Sequence, residues 1–158
     1  MNATQQAREH NENLTYVFTV DQTPQEAFAA INNVREWWSG EPGIEGSTAK
    51  LGDEFTYRYK DIHYSKQKVT EFTPGKKVVW HVLDSSLNFI ENKSEWNGTQ
   101  IIFDIASKGG KTEVRFSHVG LVPEVECYDG CSNAWGSYIN GSLKKLIAKG
   151  KGHPNPAK

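Results

Sequence analysis

The sequence predicts an α+β domain in which a curved antiparallel sheet wraps around one long C-terminal helix. Three observations predict it. An alternating strand and a capped helix open the chain, and strands with period-two alternation then follow one another without intervening helices. Past Pro123 the pattern changes to a helical period carried by large apolar residues. A twisted antiparallel sheet with one apolar face needs a cover, and only the last helix is long enough to supply it. A chain of 158 residues suffices for one such domain to bury its own core.

Residues 1–13 are polar and read as a flexible tail before a single domain over 14–150, with 151–158 as a C-terminal tail. Leu14, Tyr16, Phe18 and Val20 alternate with Thr15 and Thr19 as a half-buried strand. Thr23-Pro24-Gln25-Glu26 then starts a helix, with Thr23 as cap, Pro24 at the first helical position and Glu26 closing a capping box. That helix should run to about Trp38, bury Ala27, Phe28, Ile31, Val34 and Trp38, and stop at Ser39-Gly40-Glu41-Pro42-Gly43.

Phe55, Tyr57 and Tyr59 form one face of the next strand. Ile62 to Phe72 is more polar and suits an edge, or water on both faces. Thr73-Pro74-Gly75-Lys76 turns into a strand with Val78, Trp80 and Val82 on one face. Asp84 to Trp96 reads as irregular, and Asn97-Gly98 as a turn. Ile101, Phe103 and Ile105, and then Val114, Phe116 and His118, mark the last two strands around Lys108-Gly109-Gly110-Lys111. The C-terminal helix should bury Cys131, Trp135, Tyr138, Ser142 and Leu146, face Lys144, Lys145 and Lys149 to water, and stop at Gly150.

Net charge is −1 and the cations are scattered, which excludes the concentrated basic face that nucleic acid requires. No apolar run is long enough for membrane insertion, and the expected location is the cytoplasm. Phosphate loops, nucleophile elbows, zinc-protease motifs and dinucleotide fingerprints are all missing from the sequence, so no cofactor is expected.

The two cysteines, Cys127 and Cys131, follow His118 closely enough to be weighed as metal ligands. A fourth ligand and the compact C-x-x-C knuckle are lacking, so the thiols read as small, soft packing and no metal is expected. Strand parity places His118 inward beside Val114 and Phe116, either as a proton-transfer residue with Tyr138 or as a satisfied core histidine. His63 and His81 read as exposed or edge positions. Five Trp, six Tyr and seven Phe are unusual in one domain. Rings at Phe55, Tyr57, Tyr59, Trp80, Phe103, Phe116, Trp135 and Tyr138 fall on inward positions, and Trp37 and Trp38 end the first helix where a cavity mouth would lie. With His118, these are the expected ligand-binding residues. Small residues on the last helix, such as Gly141 and Ser142, would leave room for a pocket.

The segments TVDQTPQEAFAAINNVREWWS (19–39), GDEFTYRY (52–59), VTEFTPGKKVVWHV (69–82), WNGTQIIFDI (96–105) and TEVRFSHVGLVPEVECYDGCSNAWGSYINGSLKKLI (112–147) carry a resemblance. They are similar to the START-like, birch-pollen-allergen-like (SRPBCC) superfamily, in the branch related to the C-terminal domain of the activator of heat-shock protein 90 ATPase. The resemblance implies the helix-grip fold with a ligand cavity between sheet and helix. The leading expectation is a module that binds a small hydrophobic or amphipathic ligand. The alternatives are a polyketide cyclase- or dehydratase-like enzyme using His118 and Tyr138, and a stress-response co-chaperone module with chaperone or homodimer contacts.

Overall fold

The computed structural model describes residues 13–155. Seven strands form one antiparallel sheet: β1 (Leu14–Val20), β2 (Ile44–Gly46), β3 (Glu54–Tyr59), β4 (His63–Thr73), β5 (Lys77–Leu87), β6 (Gln100–Lys108) and β7 (Lys111–Val119). Their spatial order is β1-β7-β6-β5-β4-β3-β2, so β1 pairs with the last strand and the segment after it crosses to the far edge. This is the helix-grip architecture.

The capping box forms as the sequence requires: Thr23 Oγ1 accepts from Glu26 N–H at 3.1 Å and Glu26 Oε1 accepts from Thr23 N–H at 2.9 Å. The helix does not run unbroken to Trp38. It divides at Asn33 (φ −92°, ψ 63°) into α1 (Pro24–Asn32) and α2 (Val34–Trp37). Carbonyls freed by the break find other donors: Ile31 O accepts from the Trp37 indole N–H at 3.0 Å, and Asn32 O from Thr48 Oγ1 at 2.6 Å. The break lets Trp37 and Trp38 both bury completely, which successive residues of one amphipathic helix seldom do.

Two strands differ from expectation. β4 is interior rather than an edge, lying between β3 and β5, and its Ser65 and Gln67 point inward and are buried. The register between β4 and β5 shifts twice, with Leu83 the extra residue on β5 opposite Lys66/Gln67 and Thr70 the extra residue on β4 after Val69, and each breaks the alternation of its own strand. β5 extends to Leu87, because pairing with β4 orders part of the stretch that reads as irregular.

The C-terminal helix is continuous from Tyr128 to Lys149 but not uniform. α3 (Tyr128–Gly136) leads into a π-helical segment (Ser137–Leu143) and then α4 (Lys144–Lys149). The wider turn re-phases the buried stripe from Cys131 and Trp135 to Ile139, Ser142, Leu143 and Ile147. Leu146, expected in that stripe, is only half-buried. Gly150, left-handed at φ 82°, ends the helix with its N–H on Leu146 O at 2.9 Å.

Beyond Gly150 the chain turns back over the domain. Gly152 is buried, and a Cβ there would meet Glu36 O at 2.5 Å and Ser142 O at 3.0 Å. Ser142 Oγ donates to Trp37 O and accepts from His153 N–H, both at 2.7 Å. Asn155 forms a parallel bridge with Ser39, its N–H donating to Trp38 O at 3.0 Å. Residues 152–155, expected as part of a tail, thus form a strap against the end of α2.

Candidate functional site

A cavity of about 370 Å3 opens between the β3–β4 end of the sheet and α3. Trp38, Trp96 and Trp135 form its inner surface. Tyr57, Tyr138 and Asn155 supply a polar wall, Gly130, Cys131 and Ala134 the helix side, and half-exposed Tyr59, Ile62 and Phe89 its rim. Trp38 is the hub of the ring cluster, stacked on Tyr57 at 4.5 Å and tilted against Trp135 at 5.1 Å. Opposite small residues on α3, these rings leave space that a larger helix side chain would fill.

Of the expected ligand-binding residues, Trp38, Tyr57, Tyr59, Trp135 and Tyr138 line this cavity. Trp37, Phe55, Trp80, Phe103, Phe116 and His118 do not. Phe55, Trp80, Phe103 and Phe116 pack on one another at 5.0–5.4 Å, filling the sheet's centre. Trp37 lies behind Trp38, edge-on to Phe103. Inward parity is shared by every residue of a strand face, but the cavity opens only towards the β3–β4 turn.

His118 is locked in the core. Its Nδ1 accepts from the Trp135 indole N–H at 3.0 Å, so the proton resides on Nε2, which donates to Thr99 Oγ1 at 2.9 Å; Thr99 in turn donates to Trp96 O at 2.6 Å. Burial, then His63, pushes its pKa down to about 3. Both ring nitrogens are therefore committed, and the imidazole positions Trp135 rather than facing the cavity.

His63, expected at the surface or an edge, instead lines the cavity. It meets the Trp96 ring at 4.5 Å and the Tyr57 ring at 5.2 Å, both nearly edge-on. Its Nε2 is shut off from solvent without a hydrogen-bond partner among the described residues, and burial lowers its pKa to about 4. Trp96 thus meets two imidazoles edge-on, with His118 lying 4.7 Å away.

The polar wall has a definite donor count. Asn155 Nδ2 donates to Tyr57 at 3.1 Å and to Tyr138 at 2.8 Å, and the two hydroxyls lie 3.0 Å apart. One phenol O–H serves the other phenol, leaving a single hydroxyl proton uncommitted. Burial, reinforced by Tyr138, raises the Tyr57 pKa well above the phenol range, so the Tyr57 phenol stays protonated.

Among the described residues no group of three or more His, Cys, Asp or Glu side chains is placed to hold a metal ion. Cys127 and Cys131 are free, buried thiols. A hydrogen bond with Cys127, then burial, raises the Cys131 pKa and keeps it protonated. Glu95 accepts from the N–H groups of Glu126 and Cys127 at 2.7 and 3.0 Å, tying the β5–β6 connection to the start of α3.

A profile of the family described as activator of Hsp90 ATPase homolog 1-like protein matches residues 22–148. The chain belongs to this family. Solved structures support the fold. The solution structure of the Aha1 dimer from Colwellia psychrerythraea is 24% identical with a TM-score of 0.69, covering 89% of this chain and 98% of that one. The Mll3558 protein from Rhizobium loti is 14% identical with a TM-score of 0.64, covering 85% and 95%. DynU16, described as a putative protein in the dynemicin biosynthetic locus, is 12% identical with a TM-score of 0.62, covering 89% of this chain but 49% of that one. No curated protein sequence matches the chain.

His63, Trp96, Phe89, Gly130, Ala134 and Asn155 escaped the sequence expectation. His63 pairs directly with Tyr59 across a short turn, so counting from that turn puts the two on one face. Gly130 and Ala134 were visible as small residues four apart beside Trp135. Nothing local marks Asn155, which follows the helix stop.

Proposed function

We propose that this protein is a binding module that holds a small hydrophobic or amphipathic ligand between the end of the sheet and α3. The observation that carries the proposal is the aromatic cavity of about 370 Å3, a volume at the lower end of small-molecule sites. Its chemistry favours holding over reacting. The His118 nitrogens are committed, His63 stays neutral far above its lowered pKa, and the Tyr57 phenol resists ionisation. A general acid or base works best with a pKa near the operating pH, and none of these three has one.

The test is a thermal-shift screen against apolar and amphipathic compounds, with an Ala134→Phe variant as control. Ligands that bind the native state raise Tm by linkage, and the phenyl group at residue 134 should abolish the shift while the protein stays folded. The proposal fails if no compound shifts Tm, or if the variant responds as the wild type does.

The family description favours a second role, contact with a heat-shock chaperone. A pull-down with the chaperone and an ATPase assay decide it: binding with stimulation supports the contact, and neither removes it.

A further inference from the structure

A second cavity of about 530 Å3 adjoins the aromatic one. Tyr59 and Asn155 line both. The two differ sharply in charge. No Lys, Arg, Asp or Glu lines the first, whereas Arg58, Lys60 and Asp61 line the second beside Ser39, Pro42 and Gly43. Neither Arg58 nor Lys60 has a carboxylate partner within salt-bridge distance among the described residues.

Both cations are held by rings instead. The Arg58 guanidinium lies 4.6 Å from the centre of the Tyr64 ring, and Lys60 Nζ lies 5.4 Å from that of Tyr59, the ring common to both cavities. Lys60 has a left-handed backbone (φ 52°), a conformation that glycine or asparagine adopts at less cost. A lysine held there turns its ammonium onto the shared wall.

We infer that the two cavities form one bipartite site for an amphiphile with an aromatic or otherwise apolar body and an anionic substituent. The body would occupy the space between Trp38, Trp96 and Trp135, and the anion, a carboxylate, sulfonate or phosphate, would lie in the groove with Arg58 and Lys60. Asp61 opposes this and limits the attraction, leaving one net positive charge in the groove. The inference rests on the proposal that the aromatic cavity binds ligands, and deepens it by assigning the charge of what is bound.

A matched pair of fluorescent probes tests it: 8-anilinonaphthalene-1-sulfonate and N-phenyl-1-naphthylamine, the same ring system with and without the anion. Dissociation constants are measured by fluorescence titration for the wild type, Arg58→Gln/Lys60→Asn and Asp61→Asn. The asparagine suits the left-handed backbone at residue 60, and all three positions are exposed, so folding should be retained and Tm confirms it.

Removing both cations should weaken the sulfonate about fivefold to tenfold, the scale of two solvent-exposed charge contacts, and leave the uncharged probe within about twofold. Asp61→Asn should tighten the sulfonate alone, and added salt should weaken it alone. The inference is overturned if the uncharged probe binds but the sulfonate does not respond selectively to these changes; the cavity proposal then stands. If neither probe binds the wild type, the cavity proposal falls and takes this one with it.

Discussion

Replacing His118 by Phe separates a positioning role from a catalytic one. The ring size is nearly kept, but the Trp135 indole N–H loses its acceptor at 3.0 Å and Thr99 loses its donor at 2.9 Å. Thr99 still donates to Trp96 O, so its loss is small, whereas the buried indole N–H is left unpaired. An unpaired buried donor costs about 1–3 kcal/mol and the second hydrogen bond about 1 kcal/mol, so the variant should lose about 2–4 kcal/mol near pH 8. For a domain of this size each kcal/mol corresponds to about 2–4 °C in Tm.

The pH dependence sharpens the prediction. The folded pKa of His118 lies near 3, below its ordinary value of 6.5. Wild-type stability from this group is therefore full above about 6.5 and is lost as pH falls towards the folded value, because the unfolded chain takes up the proton first. Between about pH 8 and pH 5 that loss is about 2 kcal/mol, which the Phe variant does not incur. Urea denaturation at both pH values should show the gap between wild type and variant narrowing by this amount. A gap that is absent at pH 8, or that widens on acidification, refutes the hydrogen-bonded neutral histidine.

Two further outcomes follow from the geometry. Gly152→Ala should destabilise the fold by about 1–3 kcal/mol, since its Cβ would meet the Glu36 carbonyl at 2.5 Å, and should loosen the strap that carries Asn155; chemical denaturation and the affinity of an apolar dye read the two effects. Cys127 and Cys131 should resist an aromatic disulfide reagent in the folded protein and react fully in denaturant, because both thiols are buried and Cys131 is held protonated; rapid reaction under native conditions would contradict that placement.

The broad fold was legible because it depends on signals that neighbouring residues carry together. The Thr23–Glu26 capping box, the alternation through β1, β3, β6 and β7, and the change to helical period before Trp135 all act over a few residues. Burial then follows from periodicity wherever a strand stays regular. The family resemblance reached the same architecture by matching those segments. Periodicity failed where the backbone departs from its regular period: at Asn33, which divides the first helix, at the bulges between β4 and β5, and in the π-helical segment after Gly136.

The candidate site was legible only in part. That inward rings would meet at the last helix was readable from Trp135, Tyr138 and Tyr57. Which rings fill the core and which border space was not, since Phe116 and Trp135 are both large, apolar and inward. A cavity is what remains after every element has packed, so it belongs to no residue's own preference. Asn155 shows this most plainly: it reaches the tyrosine pair because Gly150 reverses the chain and Gly152 fits against Glu36 and Ser142. Local chemistry in the chain determines the strands, the caps and the identity of the aromatic residues. Long-range packing decides that His118 is locked, that His63 faces inward, and that the uncharged pocket adjoins Arg58 and Lys60, because each depends on distances between segments far apart in sequence.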